Sequence, residues 1–155
     1  MKITMQIRTV RWLVSAIAIA LAVGVAAGPG YAKERKAVNL STVKGLPFSD
    51  GIVAGNTLYV AGQQGTDASE KLAAGGIGPE TAAALENIQK VLKAAGFELK
   101  DVVSVTVYLA DIHDFPDMNK VYKSIMPDPK PARATVQVAA LVNGARIEIS
   151  AIAVK

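Results

Sequence analysis

Between Pro79 and Leu109 the chain changes its hydrophobic period, and that change restricts what it can fold into more than any other feature. Leu85, Ile88, Leu92 and Ala95 recur at the spacing of one helix face. Pro79 and Glu80 ahead of them suit a first helical turn, and Gly96 suits its end. From Val102 the period drops to that of a strand: Val103, Val105, Val107 and Leu109 share one face, Ser104, Thr106 and Tyr108 the other. A helix with one apolar stripe, followed at once by a half-buried strand, predicts a helix layer lying on a sheet.

The flanking segments extend both layers. Ile52-Val53-Ala54 and Leu58 to Ala61 flank Gly55-Asn56 and read as a β-hairpin, which Gly62-Gln63-Gln64-Gly65 ends. Thr66 to Gly78, rich in Gly, Ala and polar residues, reads as a loop with at most one short strand. Asp114 is placed to cap a second helix with Pro116 in its first turn and Met118, Val121, Tyr122 and Ile125 as its apolar stripe, until Pro127 and Pro129 end it. Ala134 to Ala140 and Arg146 to Val154 read as strands separated by the turn dipeptide Asn143-Gly144. The order ββ(β)αβαββ predicts a two-layer α+β domain, a mixed sheet with two helices on one face. The other sheet face then has no cover from its own chain, and oligomerisation is the natural remedy.

The first residues do not read as part of that domain. Lys2, Arg8 and Arg11 lead into an unbroken small-apolar run from Trp12 to Ala27, and Gly30-Tyr31-Ala32 puts small residues where a signal peptidase reads them. Residues 1–32 are therefore read as a cleavable signal peptide, 33–46 as a polar leader and 47–155 as the folded domain. The product would be periplasmic or secreted, with no membrane contact after cleavage. An uncleaved anchor is the competing reading, although the run is short of the roughly 20 residues a span prefers and ends in Gly28-Pro29-Gly30.

Charge and composition narrow the function classes. Taking Lys2, Arg8 and Arg11 from the 17 Lys and Arg leaves 14 against 13 acids, so the basicity belongs mostly to the leader and no clustered stripe for nucleic acid is left. Without cysteine there is neither a disulfide nor a thiolate nucleophile. The single histidine, His113, reads as a surface residue beside a helix start and cannot make a zinc site of the usual kind. No G-x-S-x-G elbow occurs, and Gly75-Gly76-Ile77-Gly78 lacks the Lys-Ser/Thr of a phosphate loop.

Two charged residues are better placed for chemistry. In Lys130-Pro131-Ala132-Arg133-Ala134-Thr135-Val136, Arg133 stands between a stiff proline connector and an apolar strand. A guanidinium anchored there can hold a carboxylate through two parallel charge-assisted hydrogen bonds. Taken by itself it better suits a structural salt bridge or an exposed arginine. Glu148, in Ile147-Glu148-Ile149-Ser150-Ala151, points with Ser150 to the side opposite the core. Exposed, it is a solvated carboxylate; covered by another subunit, it would be partly desolvated and able to orient a water.

From about Leu46 to Lys155 the chain resembles the RidA/YjgF proteins. The resemblance is carried in order by Leu58-Tyr59-Val60-Ala61-Gly62-Gln63, Leu85-Glu86-Asn87-Ile88, Ala94-Ala95-Gly96, Asp101-Val102-Val103 with Thr106-Val107-Tyr108-Leu109, Phe115 with Asn119 and Val121-Tyr122, Pro131-Ala132-Arg133, and Ile147-Glu148-Ile149 with Ala151-Ile152-Ala153. It implies a chorismate-mutase-like fold and a homotrimer with sheets around a central barrel and three clefts at the subunit interfaces, which would cover the spare sheet face. It implies that Arg133, on the arginine of the Pro-Ala-Arg motif, grips a substrate carboxylate and that Glu148 positions the attacking water. Phe48, Ala61, Gly62 and Thr135 join Arg133 as the implied substrate-binding positions. The implied reaction is hydrolysis of an enamine or imine, such as 2-aminoacrylate or its imino tautomer, to a 2-keto acid and ammonia. No metal and no organic cofactor is implied, since an imine carbon is already electrophilic and needs mainly orientation and a placed water.

Two side chains depart from the pattern of active relatives: Phe48 in Leu46-Pro47-Phe48 replaces a tyrosine, and Ala61 in Ala61-Gly62-Gln63 replaces a serine. Thr135 stands where many relatives have Cys or Thr. Each missing hydroxyl is worth about 1.5–3 kcal/mol if it bonded a charged substrate. A non-catalytic trimer that binds a small metabolite in the same clefts, or a holdase-like protein, is therefore the second reading. Endoribonuclease activity is a third, and the near-neutral chain and the want of a general-base histidine speak against it.

Overall fold

The computed structural model describes residues 34–40 and 45–155. The signal peptide read at 1–32 lies outside the described residues, as does part of the leader. The elements are β1 (Arg35–Val38), β2 (Gly51–Ala54), β3 (Thr57–Gln64), α1 (Ile77–Ala94), β4 (Val102–Leu109), α2 (Phe115–Ile125), β5 (Ala132–Gln137) and β6 (Ile147–Val154). The strands form one sheet in the order β1-β2-β3-β6-β4-β5. Every neighbouring pair is antiparallel except β4 and β5, which are parallel because α2 carries the chain back across the sheet between them. This is the expected two-layer α+β architecture with a mixed sheet.

Helix α1 starts two residues ahead of Pro79 and ends in the geometry foreseen for Gly96, whose φ is +80°. There the Phe97 N–H donates to the Leu92 carbonyl at 2.8 Å and the Gly96 N–H to that of Lys93 at 3.0 Å, closing the last turn. Its stripe of Leu85, Ile88, Val91 and Leu92 is fully buried against Leu58, Val105, Val107 and Ile149 of the sheet. Each such side chain contributes about 1.5–3 kcal/mol by leaving water. Met118 and Tyr122 of α2 close the same core.

Four expectations are corrected. The additional strand is β1, inside the segment read as a polar leader, where it pairs with β2; the loop after β3 holds only an isolated bridge between Thr66 and Leu72. Val103 is 47% exposed, because a bulge sets Val102 opposite Ala153 and Ser104 opposite Ile152 and turns Val103 off the core face. Asp114 makes no side-chain cap on α2 and instead accepts a hydrogen bond from Arg146 Nη1 at 3.0 Å. Asn143 and Gly144 do adopt positive φ, 59° and 71°, yet they join no hairpin. β6 inserts between β3 and β4 and leaves β5 at the edge, since β6 buries Ile147, Ile149, Ala151 and Ala153 whereas no residue of β5 is fully buried.

The sheet face away from the helices has no intramolecular cover among the described residues. Tyr59 is 50% exposed there, with Ile152, Ser104 and Ala132 in the same cross-strand row.

Candidate active site

Arg133 is the second residue of β5 and pairs with Val105, which in turn pairs with Ala151. Val105 and Ala151 are core residues, so Arg133 points to the helix side of the sheet. There α2 receives it. Nη2 donates to Asn119 Oδ1 at 2.8 Å, and the guanidinium carbon lies 4.5 Å from the centre of the Tyr122 ring and 5.6 Å from that of Phe115. Stacking on an aromatic face holds the plane of the fork, while the amide of Asn119 takes one N–H without neutralising the charge. No carboxylate pairs with Arg133 among the described residues, and a cleft of about 460 Å³ opens beside it, lined also by Lys123, Lys130 and Asp128, whose carboxylate lies 3.4 Å from Lys130 Nζ. The guanidinium is therefore neither a structural ion pair nor a freely exposed arginine, the two bland readings of its sequence position.

Thr135, two residues further on the same face, has a buried Oγ1 without a hydrogen-bond partner among the described residues, and so has the Tyr122 hydroxyl. Burial pushes the Tyr122 phenol above its ordinary value, and the neighbouring Arg133 cation works against that rise.

Glu148 occupies a second cleft, on the open face of the sheet. It lies opposite Gln64 on one side and Tyr108 on the other. Between Val60 and Gln63, strand β3 carries a bulge that brings the Gly62 backbone against the carboxylate: a Cβ on Gly62 would run into Glu148 Oε1. A glycine is required at that spot for Glu148 to lie where it does. Glu148 Oε2 accepts a hydrogen bond from Gln64 Nε2 at 3.2 Å. The cleft, about 510 Å³, is also lined by Leu46, Phe48, Ala61, Asn143 and the 70%-exposed Val142.

The six residues singled out in the sequence thus fall into two places within one chain. Phe48, Ala61 and Gly62 are with Glu148; Arg133 and Thr135 are on the other face. Asn119 and Tyr122, which hold the guanidinium, were legible only as motif and stripe residues, although their spacing along one helix face was the available signal. Gln64 gave no signal at all, because its partner is 84 residues away in the chain. His113 is exposed beside the start of α2, with Nδ1 at 2.8 Å from Asp111 Oδ1. Among the described residues no group of three or more His, Asp or Glu is gathered as metal ligands would be.

A family model described as Endoribonuclease L-PSP matches residues 42–155. A 2-iminobutanoate/2-iminopropanoate deaminase of Bos taurus is 49% identical over 110 residues, 70% of this chain and 80% of that protein. The solved structure of RidA from a Psychrobacter species is 37% identical with a TM-score of 0.67, over 77% of this chain and 93% of that one. That of E. coli TdcF with bound serine is 30% identical with a TM-score of 0.66, over 70% and 88% of the two chains.

Proposed function

The chain belongs to the RidA/YjgF family, and from that premise we propose that it is a hydrolytic deaminase of small imino acids. One observation carries the reading beyond membership. Arg133 is half-buried, stacked on Tyr122, held by a neutral amide and matched with no carboxylate among the described residues, so its charge and its remaining N–H groups are directed at an acid from outside the chain. The deaminase relative acts on imino acids by its name, and TdcF holds serine; both ligands carry a carboxylate of the size that Arg133 can clamp.

In this mechanism Arg133 fixes the carboxylate of an imine such as 2-iminopropanoate or the tautomer of 2-aminoacrylate. Glu148 accepts a hydrogen bond from a water and turns its lone pair toward the imine carbon. Attack forms the C–O bond as the C=N π pair moves to nitrogen, which takes one proton of the water to give a carbinolamine; the hydroxyl proton then passes to nitrogen, the C–N bond breaks as C=O forms, and a 2-keto acid and ammonia leave. The acceleration comes from orientation and a placed water, because the imine carbon is already electrophilic.

The two groups cannot meet within one chain, since they lie on opposite sheet faces. The proposed assembly is a homotrimer in which the edge of one copy that bears Arg133 meets the open face of the next that bears Glu148. The uncovered face with Tyr59 and the fold shared with RidA support that arrangement. Export by the signal peptide at 1–32, releasing a chain that starts at Lys33, belongs to the same proposal. The substrate would then be an imino acid left by an amino-acid oxidising or racemising enzyme in the same compartment.

The deciding experiment generates imines with an amino-acid oxidase and times their disappearance with and without this protein. Faster conversion to keto acid is the expected result. Binding of a carboxylate ligand without acceleration would turn the reading to a metabolite-binding protein. Light scattering should report three chains, and mass spectrometry of the exported protein an N-terminus at Lys33.

A further inference from the structure

Gln64 does two things at once in the cleft on the open face. Its single Nε2 donates to Glu148 Oε2 at 3.2 Å and to the Val142 carbonyl at 3.1 Å. The first bond joins the last residue of β3 to its cross-strand partner on β6; the second reaches the short turn Val142–Gly144 that leads into β6. The backbone of Gln64 is itself held. Asn87 of α1 donates from Nδ2 to the Gln64 carbonyl at 3.0 Å and to the Thr66 carbonyl at 2.9 Å, so the end of β3 is tied to the helix layer. Lys90 steadies that amide through Asn87 Oδ1 at 3.0 Å.

The consequence lies at the carboxylate. A glutamate on an open sheet face has three side-chain torsions and sweeps a wide arc unless something stops it. Here one oxygen is fixed by Gln64, and the other lies against the backbone of Gly62, where the bulge in β3 leaves room for it and no side chain intrudes. With Oε2 bonded by Gln64, Oε1 lies beside Gly62 in a cleft that Ala61 and Phe48 also line.

We infer that Gln64 is a positioning residue for the deamination: its amide locks the Glu148 carboxylate by Oε2 and ties it to the Val142 turn, leaving Oε1 to hold the hydrolytic water. The inference rests on the proposed role of Glu148. It assigns no substrate contact to Gln64, so its removal acts on turnover and not on the anchoring of the substrate by Arg133.

The test uses Gln64→Met in the whole protein, because methionine fills the same space and cannot donate. With one imino acid as substrate, kcat should fall by about ten- to a hundred-fold, as misplacement of a reacting group does, while KM and the thermal midpoint stay near those of the wild type. In a Glu148→Gln background, Gln64→Met should have little further effect, since the two residues act as one unit. An unchanged kcat in Gln64→Met, or a rise in KM with kcat kept, overturns the inference. If instead the wild-type protein accelerates no imine hydrolysis, or Glu148→Gln leaves turnover unchanged, the failure lies with the role of Glu148 and not with Gln64.

Discussion

Arg133 and Glu148 project from opposite faces of one sheet: Arg133 shares its cross-strand row with the buried Val105 and Ala151, while Glu148, three residues before Ala151 on β6, lies in a row with Gln64 and Tyr108. A site that uses both must draw them from two chains. Arg133→Ala and Glu148→Gln, each expected to be strongly impaired alone, should then complement when co-expressed or unfolded and refolded together. Random assembly leaves both groups intact at about a quarter of the clefts of a ring of identical contacts. Activity in the mixture near that fraction of wild type is the expected outcome, measured with the coupled imine assay; a mixture no more active than its parents would mean that the two residues do not share one site.

Arg133→Lys is expected to fail nearly as badly as Arg133→Ala. Lysine keeps the charge but loses the planar fork, the stack on Tyr122 and the fixed bond to Asn119. Hydrogen bonds to charged groups are worth about 1.5–3 kcal/mol, so titration calorimetry with a carboxylate analogue should show affinity falling by at least about ten-fold.

Gly62→Ala separates function from stability. The new Cβ would meet Glu148 Oε1, the end of a flexible side chain that can swing away. The thermal midpoint should hardly move, while kcat drops because the carboxylate no longer faces the reacting carbon. A variant with full turnover would show that the observed place of Glu148 is not the working one.

Ala61→Ser restores a hydroxyl in the cleft that Ala61 shares with Glu148. Deamination should be kept or raised, seen as an equal or higher kcat/KM on the same imino acid. A marked loss would mean that the alanine is adapted to a different ligand.

Tyr122→Phe reads the alkaline side. The Tyr122 phenol is raised above its ordinary value of 10.0 by burial, so the folded state holds the proton more tightly than the unfolded chain. Its contribution is complete below the ordinary value and is lost as pH rises from there through the folded value. Wild-type unfolding midpoints in denaturant should fall over that window and those of Tyr122→Phe should fall less. Near neutral pH Tyr122→Phe should be at least as stable as the wild type, since the buried hydroxyl has no hydrogen-bond partner among the described residues.

Much of this molecule was legible from local pattern. The helix stripe of Leu85, Ile88 and Leu92, the hairpin about Gly55-Asn56 and the burial of Val105, Val107 and Leu109 depend on neighbours within a few residues, and the structure has them as read. The side on which Glu148 stands followed from the same period of two. β1 was missed because Arg35–Val38 buries only Val38, which leaves no alternation to read. Asp114 was misread because a cap depends on local sequence, whereas the cation that claims its carboxylate, Arg146, comes from the far end of the chain.

The sequence by itself determined the two-layer class, the residues that fill the core, the family pattern and the identities of Arg133 and Glu148 as the charged groups worth testing. Only the tertiary structure decided that β6 enters the middle of the sheet, that Arg133 turns to α2, and that Gln64 and Gly62 flank the Glu148 carboxylate. The reason is physical. Periodicity states which face of a strand is apolar, but strand order and register are set by contacts between segments far apart in the chain, and those contacts leave no mark in the spacing of the residues that make them.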